Sequence, residues 1–385
     1  MTQNSLPKTL FSSLKPRLPQ MLELLRELVL LESPSLEKAP ADRCCGFLAD
    51  QWLLRGGIVH VLKQEHRGNH LRIVWPPTAS RPTGQLLVLG HYDTVYPTGT
   101  IVRMPYRASG GKVYGPGAFD MKAGIVQALF ALEALVQLKL PAKKNLVFLW
   151  TSDEEIGSAS SRSLIEAEAR RSDAVFVLEP SLGPRGLVKT ARKGVGEVRL
   201  LVHGRASHSG LAPEKGINAI HELAAQIARM EKWNRPGRGI TINADVIEGG
   251  SRTNVIAERA SATLDLRAWR LADMRALESR LHSLRPIHRG AKLEITGGFG
   301  RPPLERKHSA ALFSRAKSLA RQLGLHLGEA AAGGGSDGNF TAALGVPTLD
   351  GLGAVGDGAH SHQEHVLVKT MPQRAALLAA LLATS

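Results

Sequence analysis

The stretch Leu86-Leu-Val-Leu-Gly-His91-Tyr-Asp93 is an apolar run that ends in an imidazole and a carboxylate. So short and continuous a run suits a strand covered by helices on both faces, as in a mostly parallel α/β sheet. Two more runs have the same form. Residues 146–151 end in Ser152-Asp153-Glu154-Glu155, and residues 174–178 end in Glu179-Pro180. A helix over 123–138 follows the glycine-rich turn Gly115-Pro-Gly-Ala-Phe-Asp120. Ligands of open α/β sheets gather at the carboxyl ends of strands. Three strand ends and one helix start therefore carry a histidine or an acid towards a common edge.

Outward from these runs, residues 20–60 read as helical and 71–75 as a further strand. A helix is expected over 161–169. The character changes after about residue 190. A strand at 196–204, a helix at 217–230, strands at 239–247 and 261–269, a helix at 272–283 and a strand at 292–296 follow in order. That is a split βαβ unit with a four-stranded sheet and two helices. Helices at 309–323 and 371–382 then return to the first domain. The expected organisation is a first catalytic segment at 1–190, an inserted α+β domain at 191–302 and a second catalytic segment at 303–385.

The balance of 49 basic and 34 acidic residues gives +15, which raises the question of nucleic acid. The basic residues are dispersed, and aromatics make up only 5% of the chain, too few to interleave for base stacking. A basic, globular enzyme without nucleic-acid or membrane partners is the expectation. No run of eighteen apolar residues occurs. The opening stretch, with Lys8, Lys15 and Arg17, lacks an apolar core and a small-residue cleavage site, so the cytoplasm is the expected location. Cys44 and Cys45 are adjacent, a poor geometry for a disulfide, and read as a pair on one helix.

The chemistry rests on residue types and placement. His91 and Asp93 share one side of an extended strand, so His91 can bind a metal while Asp93 holds its second nitrogen. Asp120 suits an N-cap, and its two oxygens also suit bridging two cations. Three neighbouring carboxylates, Asp153, Glu154 and Glu155, repel one another unless a cation or a proton is near. Glu154 and Glu155 point apart, so one can bind metal while the other faces water. Glu179 ends a strand, and Gly358-Ala-His360-Ser-His362-Gln-Glu-His365 offers three histidines among which residue chemistry does not choose. Five nitrogen and oxygen ligands exceed the need of one catalytic zinc and suit two metals sharing a carboxylate.

These motifs resemble the co-catalytic zinc family of aminoacylases and carboxypeptidases, over nearly the whole chain. Within it they look most like the glutamate carboxypeptidase branch, on Asp153-Glu-Glu-Ile-Gly-Ser158, Leu178-Glu-Pro-Ser181, Gly204-Arg-Ala-Ser-His208 and Gly333-Gly-Gly-Ser-Asp337. Acetylornithine deacetylase and succinyl-diaminopimelate desuccinylase belong to the same family. The resemblance implies a zinc-peptidase-like fold whose inserted domain serves as lid and dimerisation unit. It implies two zinc ions (cobalt or manganese being alternatives), one held by His91, Asp120 and Glu179 and the other by Asp120, Glu155 and His360. It selects His360 through the pattern Gly-x-His-Ser-x-x-Glu and implies a cis peptide between Asp120 and Met121. Glu154 would be the general base, with Asp93 supporting His91. His208 would reach across a homodimer to the oxyanion. Arg267, Asn254, Gly335 and Ser336 would bind the substrate.

The expected reaction is release of a C-terminal, glutamate-like amino acid from an N-acyl amino acid or short peptide. The alternatives are an N-acyl-amino-acid deacylase and, in another class, a metal-dependent binding protein without catalysis. The chain departs from the family in having Phe119 before the bridging acid and an unusually histidine-rich final loop.

Overall fold

The computed structural model describes residues 6–75 and 83–385. The first five residues of the basic opening stretch thus lie outside the described residues. The chain divides into two compact units. One comprises the residues through Ala191 together with Arg306–Ala332 and Ser336–Ser385, and the other comprises Arg192–Glu305 with Gly333–Gly335.

The first unit is built on a six-stranded sheet. Gln85–His91 lies at its centre, parallel to both Asn145–Thr151 and Ala174–Val177, and Thr348–Leu349 adds a further parallel strand. His70–Trp75 and Ile58–Leu62 complete the other edge as antiparallel strands. The apolar runs are buried almost throughout, because helices cover both faces. Helix Ala123–Gln137 is apolar nearly all round, and twelve of its residues are buried. An all-round apolar helix belongs inside a protein, and here it packs against the similarly apolar Met371–Thr384.

The N-terminal region differs from its sequence reading in two places. Residues 20–60 are not helical throughout, since Ile58–Leu62 is an edge strand. The opening stretch, given no element from its sequence, is helical and part of the first unit. Leu6–Leu14 is a helix whose Leu10 and Leu14 are fully buried in the main core, and it packs on Met371–Thr384. Cys44 and Cys45 sit buried and unbridged on helix Lys38–Leu53.

In the second unit, a four-stranded antiparallel sheet has the order Thr241–Gly249, Arg259–Ala268, Gly194–His203, Lys292–Arg301. Helices Ala219–Glu231 and Leu271–His282 cover it, and their apolar faces close a second core around Leu200, Val202, Leu223, Leu264 and Leu277. The last strand runs past residue 296. Gly297 and Gly298 carry it through positive φ angles into an irregularity before Arg301. Loop Gly333–Gly335 belongs to this unit because two arginines hold its carbonyls. Arg192 Nη1 donates to Gly334 O (3.2 Å) and Gly335 O (2.9 Å), and Arg267 Nη1 donates to Gly333 O at 3.4 Å.

Candidate metal centre

The parallel register sets the centre. His91 pairs with Thr151 and Leu89 with Val177, so the ends carrying His91, Asp153–Glu155 and Glu179 emerge on one edge. Asp120 arrives from the loop before the central helix, where the backbone leaves helical geometry (φ −113°, ψ 94°) and the Asp120–Met121 peptide is cis. His360 sits in the late loop at a left-handed φ of 61°, a conformation uncommon for residues other than glycine.

Five side chains meet in two overlapping groups, His91 with Asp120 and Glu179, and Asp120 with Glu155 and His360. Within each group the ligand atoms lie within 4.8 Å of one another. His91 Nε2 is 3.4 Å from Asp120 Oδ1 and 3.5 Å from Glu179 Oε1. His360 Nε2 is 3.5 Å from Asp120 Oδ2 and 3.1 Å from Glu155 Oε2. His362 and His365 are not part of either group.

These spacings test the fit of a metal. Ligands bound tetrahedrally to zinc at 2.0–2.1 Å lie about 3.3 Å apart, close to the separations found. Buried His91 Nε2 and Asp120 Oδ1 face each other with no hydrogen-bond partner. Two such atoms are costly to leave unsatisfied, and a divalent cation between them satisfies both. Protons compensate the acids otherwise. Burial lowers the pKa of His91, yet the carboxylates of Asp120, Asp93 and Glu179 outweigh it and hold the imidazole well above its ordinary value. Asp120 and Glu155 push His360 up to about 10. Burial and the Asp120 charge raise Glu155, whereas His360 and His91 overcome burial at Asp120 and hold it far below the usual carboxylate range.

Supporting residues fix each group. His91 Nδ1 lies 3.0 Å from the backbone carbonyl of Asp93 and 3.4 Å from its carboxylate, so the nearer acceptor is the main chain. The Asp93 carboxylate instead accepts from Ser35 Oγ (2.6 Å), Glu154 N (3.3 Å) and Glu155 N (3.2 Å), tying one strand end to the next. Asp153 turns away from its acidic neighbours and accepts from the N–H and hydroxyl of Ser160, both at 2.7 Å. His70 braces this turn between Ser152 and Ser160. Glu364 accepts the N–H groups of Gly117 (3.2 Å), Phe119 (2.8 Å) and Asp120 (3.0 Å) and the Tyr96 hydroxyl (2.7 Å), which holds the Asp120 loop in place.

The model of peptidase family M20/M25/M40 matches residues 87–384. The chain belongs to that family. It is 32% identical over 304 residues to carboxypeptidase G2 of Pseudomonas sp. (strain RS-16), covering 77% of this chain and 73% of the relative. Succinyl-diaminopimelate desuccinylase of Paraburkholderia xenovorans is 27% identical over 303 residues, 74% and 79% of the two chains. Among solved structures, the aminopeptidase PepT from Bacillus cereus superposes with a TM-score of 0.80 at 22% identity, covering 95% of this chain and 98% of that one. The YXEP protein of Bacillus subtilis, a dinuclear metal binding peptidase, gives 0.69 at 15%, covering 96% and 98%. At these identities the two structures speak for the M20 fold.

The remaining predicted residues of this M20 chain lie in other surroundings. Glu154 is half-buried on the turn beside Glu155. In the second unit His208 is exposed, and its Nδ1 accepts the N–H groups of Gly210 and Leu211, each at 3.1 Å. An accepting Nδ1 leaves the proton on Nε2. Asn254 lies alongside, its carbonyl bonded to Ser209 N at 3.0 Å. Arg267 spends its Nε and Nη2 on Asp265 at 2.8–3.0 Å. Ser336 departs from expectation. It is buried, its N–H donates to Asn339 Oδ1 at 3.0 Å and its hydroxyl donates to Asp350 at 2.5 Å, so it braces the loop end with the groups assigned to substrate.

Proposed function

We propose that the chain hydrolyses an amide bond and releases a C-terminal, glutamate-like amino acid from an N-acyl amino acid or short peptide. The observation that carries this reading is the sharing of Asp120 between two ligand groups, one oxygen facing each histidine. Two zinc ions, or cobalt or manganese in their place, supply Lewis acidity at the carbonyl and acidify water when bound. His91, Asp120 and Glu179 would hold one ion, and Asp120, Glu155 and His360 the other. Glu154 removes the proton of the attacking water and returns it to the departing nitrogen. His208, with its proton on Nε2, donates to the oxyanion from the second copy of a homodimer. Arg267, already bonded to Asp265 and to Gly333 O, meets the substrate carboxylate through the remaining hydrogens of its guanidinium, and Asn254 and the N–H of Gly335 complete the substrate contacts, with Ser336 bracing that loop from behind.

The relative named carboxypeptidase G2 supports this direction. The relatives named succinyl-diaminopimelate desuccinylase support the second reading, an N-acyl-amino-acid deacylase. The homodimer draws support from the edge strand Thr241–Gly249, which exposes Val246 (53%) and Ile247 (60%) beside unpaired backbone groups. No helix among the described residues is long and apolar enough to cross a membrane, and we place the enzyme in the cytoplasm without a nucleic-acid partner. Hydrolysis of N-benzoyl-glutamate against N-acetyl-ornithine with added zinc tests the reading, and a preference for N-acetyl-ornithine overturns it.

A further inference from the structure

Beside Glu155, on the first unit, a cavity of about 230 Å³ opens to solvent. Three large apolar side chains meet at it although water reaches all of them: Leu36 is 65% exposed, Val95 43% and Ile156 40%. Pro34 and Pro97 add further apolar wall. Single exposed apolar residues are ordinary, but a concave cluster of them beside polar machinery is the usual form of a ligand pocket.

The cluster belongs to the candidate centre by construction. Val95 follows two residues after Asp93, and Ile156 directly follows Glu155. The loop bearing Leu36 is pinned to the same element: Ser35 Oγ donates to Asp93, Ser35 N donates to Thr94 O at 3.2 Å, and Thr94 N donates to Ser33 O at 2.9 Å. The walls are thus held before any ligand arrives, which lowers the ordering cost of binding.

The charge of the wall decides which ligand fits. Among the described residues its ionisable side chains are Glu37 and Glu155, the latter engaged in the group with Asp120 and His360, and neither lysine nor arginine lines it. A carboxylate entering here would meet Glu37 and find no cationic side chain on the wall, whereas an uncharged hydrocarbon group gains by leaving water. The amino-acid half of the substrate carries a free carboxylate and is disfavoured.

We infer that the Leu36–Val95–Ile156 cavity is the specificity pocket for the acyl half of the substrate, taking an uncharged branched aliphatic or single-ring acyl group and rejecting acyl groups that carry a carboxylate. This rests on the amide-hydrolase reading and adds to it the choice of acyl group.

The test uses the full-length, zinc-supplemented protein and the N-isovaleryl, N-acetyl and N-succinyl derivatives of one amino acid. The wild type should prefer isovaleryl over acetyl by about tenfold in kcat/KM, carried mainly by KM, and should use succinyl least. Leu36→Asp should abolish the isovaleryl preference. Leu36→Lys should raise succinyl turnover relative to acetyl by about tenfold, a gain that a misfolded protein cannot give. A wild type that uses succinyl as well as isovaleryl, or variants whose acyl ratios equal the wild type's, overturns the pocket assignment and leaves amide hydrolysis standing. Failure to cleave any N-acyl amino acid overturns the hydrolase reading and the pocket with it.

Discussion

His91 and His360 address opposite oxygens of one carboxylate, Nε2 of the first facing Oδ1 of Asp120 and Nε2 of the second facing Oδ2. Asp120 is therefore common to both halves of the centre. Asp120→Ala should lower zinc binding at both positions, whereas Glu179→Ala should empty one. Metal content after dialysis against limiting zinc distinguishes the two, and an Asp120→Ala protein that retains two ions refutes the shared role.

Glu154 stands beside Glu155 but outside both candidate ligand groups. Glu154→Gln should retain zinc and lose about 100- to 10,000-fold in kcat, the range of general acid–base catalysis. Single-turnover assays alongside metal analysis check this. Turnover at the wild-type rate would remove Glu154 from the mechanism.

Glu364 gathers three main-chain N–H groups of the Asp120 loop. Glu364→Ala leaves those buried donors without an acceptor, at a cost of about 3 kcal/mol, and loosens the loop that carries Asp120. Thermal unfolding of the metal-free protein and zinc titration should show both a lower Tm and a weaker metal affinity. A normal Tm would mean that the loop does not depend on this carboxylate.

In the second unit, wholly buried Glu222 accepts from Gln226 Nε2 (2.7 Å) and from the N–H groups of Ile287 (3.0 Å) and His288 (2.7 Å). Burial alone would raise its pKa, but these bonds together bring it below the ordinary 4.5. A carboxylate with a depressed folded pKa stabilises above its unfolded value, and that contribution is lost as pH falls through the folded one. Unfolding between about pH 3 and 6 should therefore show a stability loss below about 4.5 that Glu222→Gln reduces. An identical acid limb in the variant would assign the loss elsewhere.

Much of this was legible from residue order. The apolar runs before His91, Asp153 and Glu179 mark strands buried on both faces, and their polar ends had to emerge together once those strands ran parallel. What escaped lacks such periodicity. Leu6–Leu14 sits among lysines and prolines that obscure the stripe of Leu10 and Leu14, and Ile58–Leu62 is a half-exposed edge. Gly297-Gly298 reads as a stop, yet the strand passes through it. The work of Glu364 and His70 escaped for another reason. A side chain that bonds main-chain groups leaves no pattern, although the Gly-x-His-Ser-x-x-Glu motif that picks out His360 ends on Glu364. Ser336 shows the reverse, since its neighbours use up groups that the motif alone leaves open.

Leu10 and Leu14 share one core with Leu377 and Leu381, near the other end of the chain. During synthesis the opening helix can meet Ala123–Gln137 early, but its packing on Met371–Thr384 must wait until that helix leaves the ribosome. The inserted unit, whose core draws on residues 198–284, has all of its core residues long before that. A ribosome stalled before residue 371 should therefore carry a finished inserted unit and a first unit whose opening helix is only partly covered.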